Sequence, residues 1–255
     1  MVEPRTRALW RSAQAHGRRA NRRSYHDGER VNGYVDDPYH RIRRTVAARM
    51  VADGVTRPLP VLELGCGPCS MLDPADLPGP LVVADLAEAA LADARRASGS
   101  AALPVCLDAT RALPFRDGSF AGLLTGELIE HVYDPTALLR ECHRVLAPEG
   151  LLVLTTPNLA TVQDRVAFLF GRAPRQVDPL HPYLWLHIRP FTASLLRRVL
   201  RRAGFDPLTI RSNHVGWRLP SGRWVTSRLL ARVAPGLGGS LICAARRSPD
   251  DRHRA

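Results

Sequence analysis

The chain of 255 residues contains no lysine: all 36 of its basic residues are arginine, against 24 acids, for a formal net charge of +12. An excess of that size raises nucleic acid or an anionic membrane surface as partners. An all-arginine set, however, fits a codon preference for G and C better than selection for phosphate contacts. Residues 1–50 hold 12 Arg and 5 acids, residues 51–160 hold 7 and 14, and residues 161–255 hold 17 and 5. The middle of the chain is acidic between two basic flanks, and nucleic acid is not expected as a partner.

Other scarcities narrow the class further. Five irregularly spaced cysteines are too few for a disulfide framework, and Met1 is followed by Arg-rich polar sequence rather than an apolar signal core. The expected compartment is the cytoplasm, with reduced thiols. No apolar run approaches the roughly 18 residues of a membrane span. The best candidate is the short VAFLF at 166–170. A hydrophobic content of 45% in 255 residues is enough for one main domain with appendages and too little for two.

What is present is an alternation of periods. Residues 1–40 are polar and rich in turn formers, and read as a basic N-terminal extension. Ile42, Val46, Met50 and Val51 then fall at helical spacing. Short apolar runs follow at 59–64, 81–85, 103–108, 120–125 and 151–156. Between them lie helix-like stretches, one of which opens at Asp134-Pro135 and is expected to end at Gly150. TASLLRRVLRRAGF predicts a helix with Leu195, Leu196, Val199 and Leu200 on one side, followed by strands in FDPLTIRS and SLICAARR. Strands alternating with helices imply βαβ units and an α/β fold with a mainly parallel sheet. The domain is expected over 41–246, with a lid-like insertion at about 159–190, and 247–255 as a disordered tail.

VLELGCGPCS at 61–70 places a glycine turn at the carboxyl end of the first strand, where open α/β sheets bind ligands. Gly65 and Gly67 let the backbone approach a ligand closely. A dinucleotide-binding turn also begins this way but wants a third glycine where Ser70 stands. Glu63 would repel a phosphate-bearing ligand and attract an ammonium or sulfonium.

The stretch resembles the first motif of the class I S-adenosylmethionine-dependent methyltransferases (the methyltransferase type 11 group), and the likeness continues in order along residues 40–215. LVVADLAEAAL resembles the motif whose acid accepts hydrogen bonds from the ribose hydroxyls, which falls on Asp85 with Leu86 beside it. CLDATRALPFRDGSF resembles the segment that recognises the adenine amino group, which falls on Asp108 with Ala109. FAGLLTGELIEHVYDP resembles the fourth strand and the helix after it, placing Thr125 and Glu127 at the cofactor with Glu63, Gly65, Cys66 and Gly67. HRVLAPEGLLVLTTPN resembles the fifth strand. The resemblance implies a Rossmann-like seven-stranded sheet with helices on both faces, the last strand antiparallel, and S-adenosyl-L-methionine as cofactor. The sequence departs from the pattern at Cys69, where a third glycine is usual, and at Ala121, where an acid is usual. It departs again in SMLDPADLPGP, whose Pro74 and Pro78 leave room for at most one helical turn.

His131, one turn after the fourth strand, is the most tempting base because imidazole titrates near neutral pH. The other reading is that it only orients the helix. His187 is a second candidate. Asn158, Tyr183 and Trp185 are candidates for the substrate wall, with His181 as a further lid or wall residue. Cys66 and Cys69 form a C-x-x-C with no second pair at zinc-site spacing, so they read as loop packing residues and no metal is expected. A Pro-Pro-aromatic signature after the fourth strand is missing, which disfavours nucleobases as acceptors. The preferred acceptor is a small molecule or a lipid- or glycan-linked group, methylated at a hydroxyl. The alternatives are an RNA or protein acceptor and a non-catalytic, methyltransferase-like binding subunit. For the arginine-flanked apolar cluster around 162–170 the plainer reading packs Val166 and Phe170 into the core. The other makes it a peripheral contact with an anionic membrane.

Overall fold

A computed structural model describes residues 37–98, 101–178, 180, 187–219, 221 and 223–249. The chain enters through helix α1 (Pro38–Gly54), started by the Asp37 side chain, which accepts the Tyr39 N–H at 2.7 Å, and by Pro38 at the first helical position. Its buried face is Arg43, Ala47, Met50 and Val51, so the stripe lies one residue round from the expected Ile42 and Val46. The expected domain boundary at 40/41 falls inside this helix, while residues 1–36 and 250–255 lie outside the described residues.

There follow β1 (Val61–Leu64), β2 (Leu81–Asp85), α2 (Glu88–Ser98), β3 (Ala102–Cys106), β4 (Phe120–Gly126), α3 (Pro135–Val145), β5 (Leu146–Pro157) and α4 (Val162–Leu169). The rest is α5 (Ala193–Arg202), β6 (Phe205–Arg211), a β7–β8 hairpin (Val215–Arg218, Trp224–Ser227), α6 (Arg228–Val233) and β9 (Ser240–Arg247). One seven-stranded sheet has the order β3-β2-β1-β4-β5-β9-β6. β1 to β5 pair in parallel, while β9 runs antiparallel to both neighbours. The expected mainly parallel sheet with an antiparallel last strand is the one found.

Both faces of this sheet are covered, which is why its central strands are buried and largely apolar on both sides rather than alternately. Leu62, Leu64 and Leu123 join Leu138, Leu139, Leu196 and Leu200 of α3 and α5 on one face. Val61, Leu124 and Val153 join Met50, Val51 and Leu91 of α1 and α2 on the other. Alternate strand residues therefore feed two separate cores, and Glu63, in phase with Val61, lies on the α1 side.

Two expectations are corrected. Helix α3 opens as read, with Asp134 accepting the Ala137 N–H at 2.9 Å, but ends at Val145 rather than Gly150. Leu146 is already paired with Phe120 in the sheet, and Glu149 takes a left-handed φ of 61° that no continuing helix allows. The second correction is α4, which buries none of its residues. Phe168, Leu169 and Phe170 are 68%, 81% and 78% exposed, so Phe170 does not pack into the core. Helix α4 leans on β7, outside the main sheet, and has no core to reach. The proline-rich linker forms only a single 3₁₀ turn, Pro74–Asp76, as expected. Among the described residues no helix is long and apolar enough to cross a membrane.

Arg43 enters the protein because Glu127 receives it: Nη1 lies 2.5 Å from Glu127 Oε2, with the two side chains 3% and 15% exposed. A buried pair of this kind contributes little net stability over an apolar pair, but losing one partner strands the other charge. Arg43→Ala is therefore expected to lower unfolding free energy by about 3–5 kcal/mol. The double substitution Arg43→Met with Glu127→Gln should recover most of that loss, as measured by urea denaturation.

Candidate functional site

The glycine turn leaves β1 and doubles back over β2. The Gly65 and Cys66 N–H groups donate to Ala84 O at 2.7 and 3.2 Å, and the Gly67 N–H donates to Asp85 Oδ2 at 2.9 Å. Gly65 and Gly67 hold φ of 75° and 59°, the left-handed region that glycine enters at little cost. A Cβ built on Gly67 would meet nothing within 4 Å, so this side of the turn is open space that a ligand can approach. Asp85 ends β2 beside it, its other oxygen accepting the Ala87 N–H at 2.9 Å, and the half-buried Leu86 follows.

Glu63 is fully buried, and its carboxylate faces the return limb of the turn. It accepts the Met71 N–H at 2.9 Å and the Ser70 hydroxyl, so in the structure it braces the loop's shape. Burial holds its carboxyl above the usual carboxylate range, against the lowering effect of those bonds and of Arg44. Arg44 clamps the same limb from outside, donating to Cys69 O at 3.2 Å and Ser70 O at 2.8 Å. Burial, and then the Glu63 and Asp85 carboxylates, push the Cys66 thiol up, which suits a packing residue and not a thiolate.

Across the crevice, β4 delivers Thr125, whose buried Oγ1 has no partner among the described residues. Glu127 follows at φ 52°, unusual for a residue with a side chain. Its backbone N–H donates to Thr155 O at 2.9 Å, its Oε1 accepts Thr155 Oγ1 at 3.0 Å, and Arg43 takes the other oxygen. Asp108 lies past the end of β3, accepting the Thr110 N–H and hydroxyl at 2.9 and 2.6 Å, with Arg111 at 3.3 Å. Ala109 packs against the core beside it.

Beyond Glu127 a 3₁₀ turn, Ile129–His131, carries a second cluster. Glu130 is 1% exposed; its Oε2 accepts Thr156 Oγ1 at 3.0 Å, and its Oε1 has no partner among the described residues. Burial, and secondarily the Glu127 charge, hold its carboxyl well above the usual range. The His131 and His187 rings meet edge to face with centroids 4.8 Å apart, and His187 Nδ1 lies 2.8 Å from Gln176 Oε1. Glu130, His131 and His187 each bring one ligand atom within 4.8 Å of the others, a set that could hold a divalent cation although none was expected. His187 comes from a distant part of the chain, so no local spacing displayed the trio.

Asn158 is fully buried. Its Nδ2 donates to Gly236 O and Gly238 O at 3.0 and 2.8 Å, and its Oδ1 accepts the Ala160 N–H at 3.0 Å. It anchors the segment that follows β5 and is not placed on an open wall. Tyr183 and Trp185, with His181, lie outside the described residues. Sequence reasoning missed Arg43, Arg44, Glu130 and Gln176. Only Glu130 had a local signal, standing three residues from Glu127 and beside His131.

A carboxyl held above its unfolded value contributes stability below the unfolded value and loses it as pH rises through the folded one. Glu63→Gln keeps a neutral side chain of the same shape. Its stability relative to the wild type should improve in thermal melts as pH is raised from the usual carboxylate range through the raised folded value. A pH-independent difference would mean that Glu63 titrates normally.

Comparison with known proteins bears on the same elements. A family model described as a methyltransferase domain matches residues 62–154, the stretch from the glycine turn to β5. The ubiquinone biosynthesis O-methyltransferase of Ruegeria pomeroyi is 30% identical over 187 residues, 69% of this chain and 75% of that protein. A protein of Mycolicibacterium smegmatis named as a probable S-adenosylmethionine-dependent methyltransferase is 32% identical over 147 residues. Those residues are 57% of this chain and span only 51% of that relative's length. Among solved structures, the 1,6-didemethyltoxoflavin-N1-methyltransferase of Burkholderia thailandensis, with S-adenosylhomocysteine bound, superposes with a TM-score of 0.60 at 20% identity, covering 97% of this chain and 92% of that one. With the open Gly67 turn, Asp85 at the end of β2 and, near the end of β4, a buried Thr125 hydroxyl unpartnered among the described residues, the residues present fit the cofactor. The chain belongs to the class I S-adenosylmethionine-dependent methyltransferases, and S-adenosylmethionine is its cofactor.

Proposed function

We propose that the protein transfers a methyl group to a hydroxyl of a small-molecule or lipid- or glycan-linked acceptor. The observation that carries this reading is the Glu130, His131 and His187 cluster, which adjoins the cofactor crevice through Glu127. Relatives named as ubiquinone biosynthesis O-methyltransferases support an oxygen acceptor of modest size.

The cofactor supplies a methyl group on a sulfonium. In this reading the Gly65 to Gly67 turn receives its methionine end, Asp85 accepts from the ribose hydroxyls, and Asp108 with Ala109 borders the adenine. Thr125 and Glu127 close the far side. Displacement at a methyl carbon disperses charge, so alignment and exclusion of water dominate over acid–base help. A hydroxyl acceptor still has to lose its proton, and His131 or His187 would take it. Gln176 holds His187 by Nδ1 and so fixes its ring orientation.

Asp85→Ala should weaken binding of S-adenosylhomocysteine by about 2–4 kcal/mol in calorimetry, through two charge-assisted bonds. Unchanged affinity would leave Asp85 as a brace for the Gly67 amide only. The acceptor class is tested by incubating the protein and methyl-labelled cofactor with metabolite, lipid and RNA fractions, with and without a chelator. Label in the small-molecule or lipid fraction is expected, and label only in RNA would refute the reading. His131→Ala and His187→Ala should fold normally, and at least one should lose activity with a changed pH profile. Full activity of both at every pH would remove imidazole from the reaction.

A further inference from the structure

Helix α4 ends in an apolar tip that the described residues leave uncovered. Thr161 caps the helix start by accepting the Asp164 N–H at 3.1 Å. At the other end the Phe170 and Gly171 N–H groups donate to Ala167 O and Phe168 O at 3.0 Å, and Gly171 turns the chain with φ 72°. The cap holds Phe168, Leu169 and Phe170 together outside the domain, each at least two-thirds exposed. Three adjacent large apolar side chains in solvent are unlike the scattered exposed leucines of an ordinary surface. Helix α6 also packs against β7 and leaves Leu229 and Val233 71% and 73% exposed.

The charge close to these residues is mostly positive, with Asp164 at the start of α4 and Asp178 after Val177 as the flanking acids. Arg165, Arg172 and Arg175 are exposed beside the tip, and Arg228 and Arg232 are exposed on α6. No acid occurs in residues 165–177 or 207–249. A second copy docking through the same patch would set arginine against arginine, since a two-fold contact pairs like surfaces. RNA would attract the arginines and stack bases on the phenylalanines, but offers nothing to the aliphatic Leu169, Leu229 and Val233. An anionic bilayer satisfies both: acyl chains take the apolar tip and headgroups take the guanidinium groups.

We propose that the α4 tip and the outer face of α6 dock the protein peripherally on anionic membranes. The docked segment leads straight into the site, because Gln176, six residues after Phe170, holds His187. Membrane docking would therefore bring a lipid-linked acceptor to the mouth of the crevice. That last step rests on the function proposed above, whereas the docking itself does not.

The test uses the full chain in vesicle co-sedimentation, with phosphatidylcholine alone and with one third phosphatidylglycerol, at about 0.05 and 0.5 M salt. Binding is expected only to the anionic vesicles, weakened several-fold by salt. Leu169→Ser with Phe170→Ser should lower partitioning at least about tenfold. Because these side chains are exposed, the variant should keep the wild-type melting temperature and affinity for S-adenosylhomocysteine. Absence of binding to anionic vesicles, or binding indifferent to both salt and the double substitution, overturns the proposal. So does a tip substitution that dissociates a dimer in sedimentation velocity while leaving vesicle binding unchanged. Sedimentation involves no turnover, so failure of the acceptor assay would leave this result standing.

Discussion

Two adjacent arginines of α1 hold the two loops that leave the carboxyl ends of β1 and β4. Arg43 pairs with Glu127 beyond β4, and Arg44 takes the carbonyls of Cys69 and Ser70 on the return limb of the glycine turn. Each loop carries no more than a single 3₁₀ turn to stiffen it. The single 3₁₀ turn between β1 and β2 replaces a helix whose amides would otherwise have organised that limb. The brace comes instead from outside through α1 and from beneath through the buried Glu63. A helix outside the seven-stranded sheet is thus part of the site's construction.

The arrangement also partitions the carboxylates. Asp85 ends β2 and Asp108 lies two residues past β3, each with backbone donors on its oxygens. Glu63 and Glu130 lie inside, where desolvation favours their neutral forms. Glu127 stands between the two groups. It is bound by Arg43 and Thr155 and strained at its backbone, where a residue at the edge of a binding crevice is held in place by its surroundings.

Much of this was legible in the chain. The runs at 61–64, 81–85 and 120–126 are short, apolar on both faces and followed by glycine or acid, and that pattern has few solutions other than parallel strands ending at a ligand crevice. The turn conformation at Gly65 and Gly67 is local and follows from residue type. Helix α3 was overrun by five residues because Gly150 reads as a helix stop. Only pairing with Phe120, far back in the sequence, shows that Leu146 is already strand.

Sequence by itself therefore determined a mainly parallel sheet, the order of its strands along the chain and the turn at Gly65 and Gly67, because each depends on period and on turns a few residues long; the seven-strand count and the acids Asp85 and Asp108 were what the family resemblance implied. Tertiary structure decided what depends on distance. It set which face of α1 is buried and so made Arg43 an internal residue. It gathered Glu130, His131 and His187 from separate segments, and it turned Asn158 into an anchor for the chain after β5. It also decided the fate of Phe168 to Phe170. The apolar run from Val166 to Phe170 is equally consistent with a buried or an exposed segment, and the position of α4, outside the main sheet and against β7, leaves Phe168 to Phe170 in solvent.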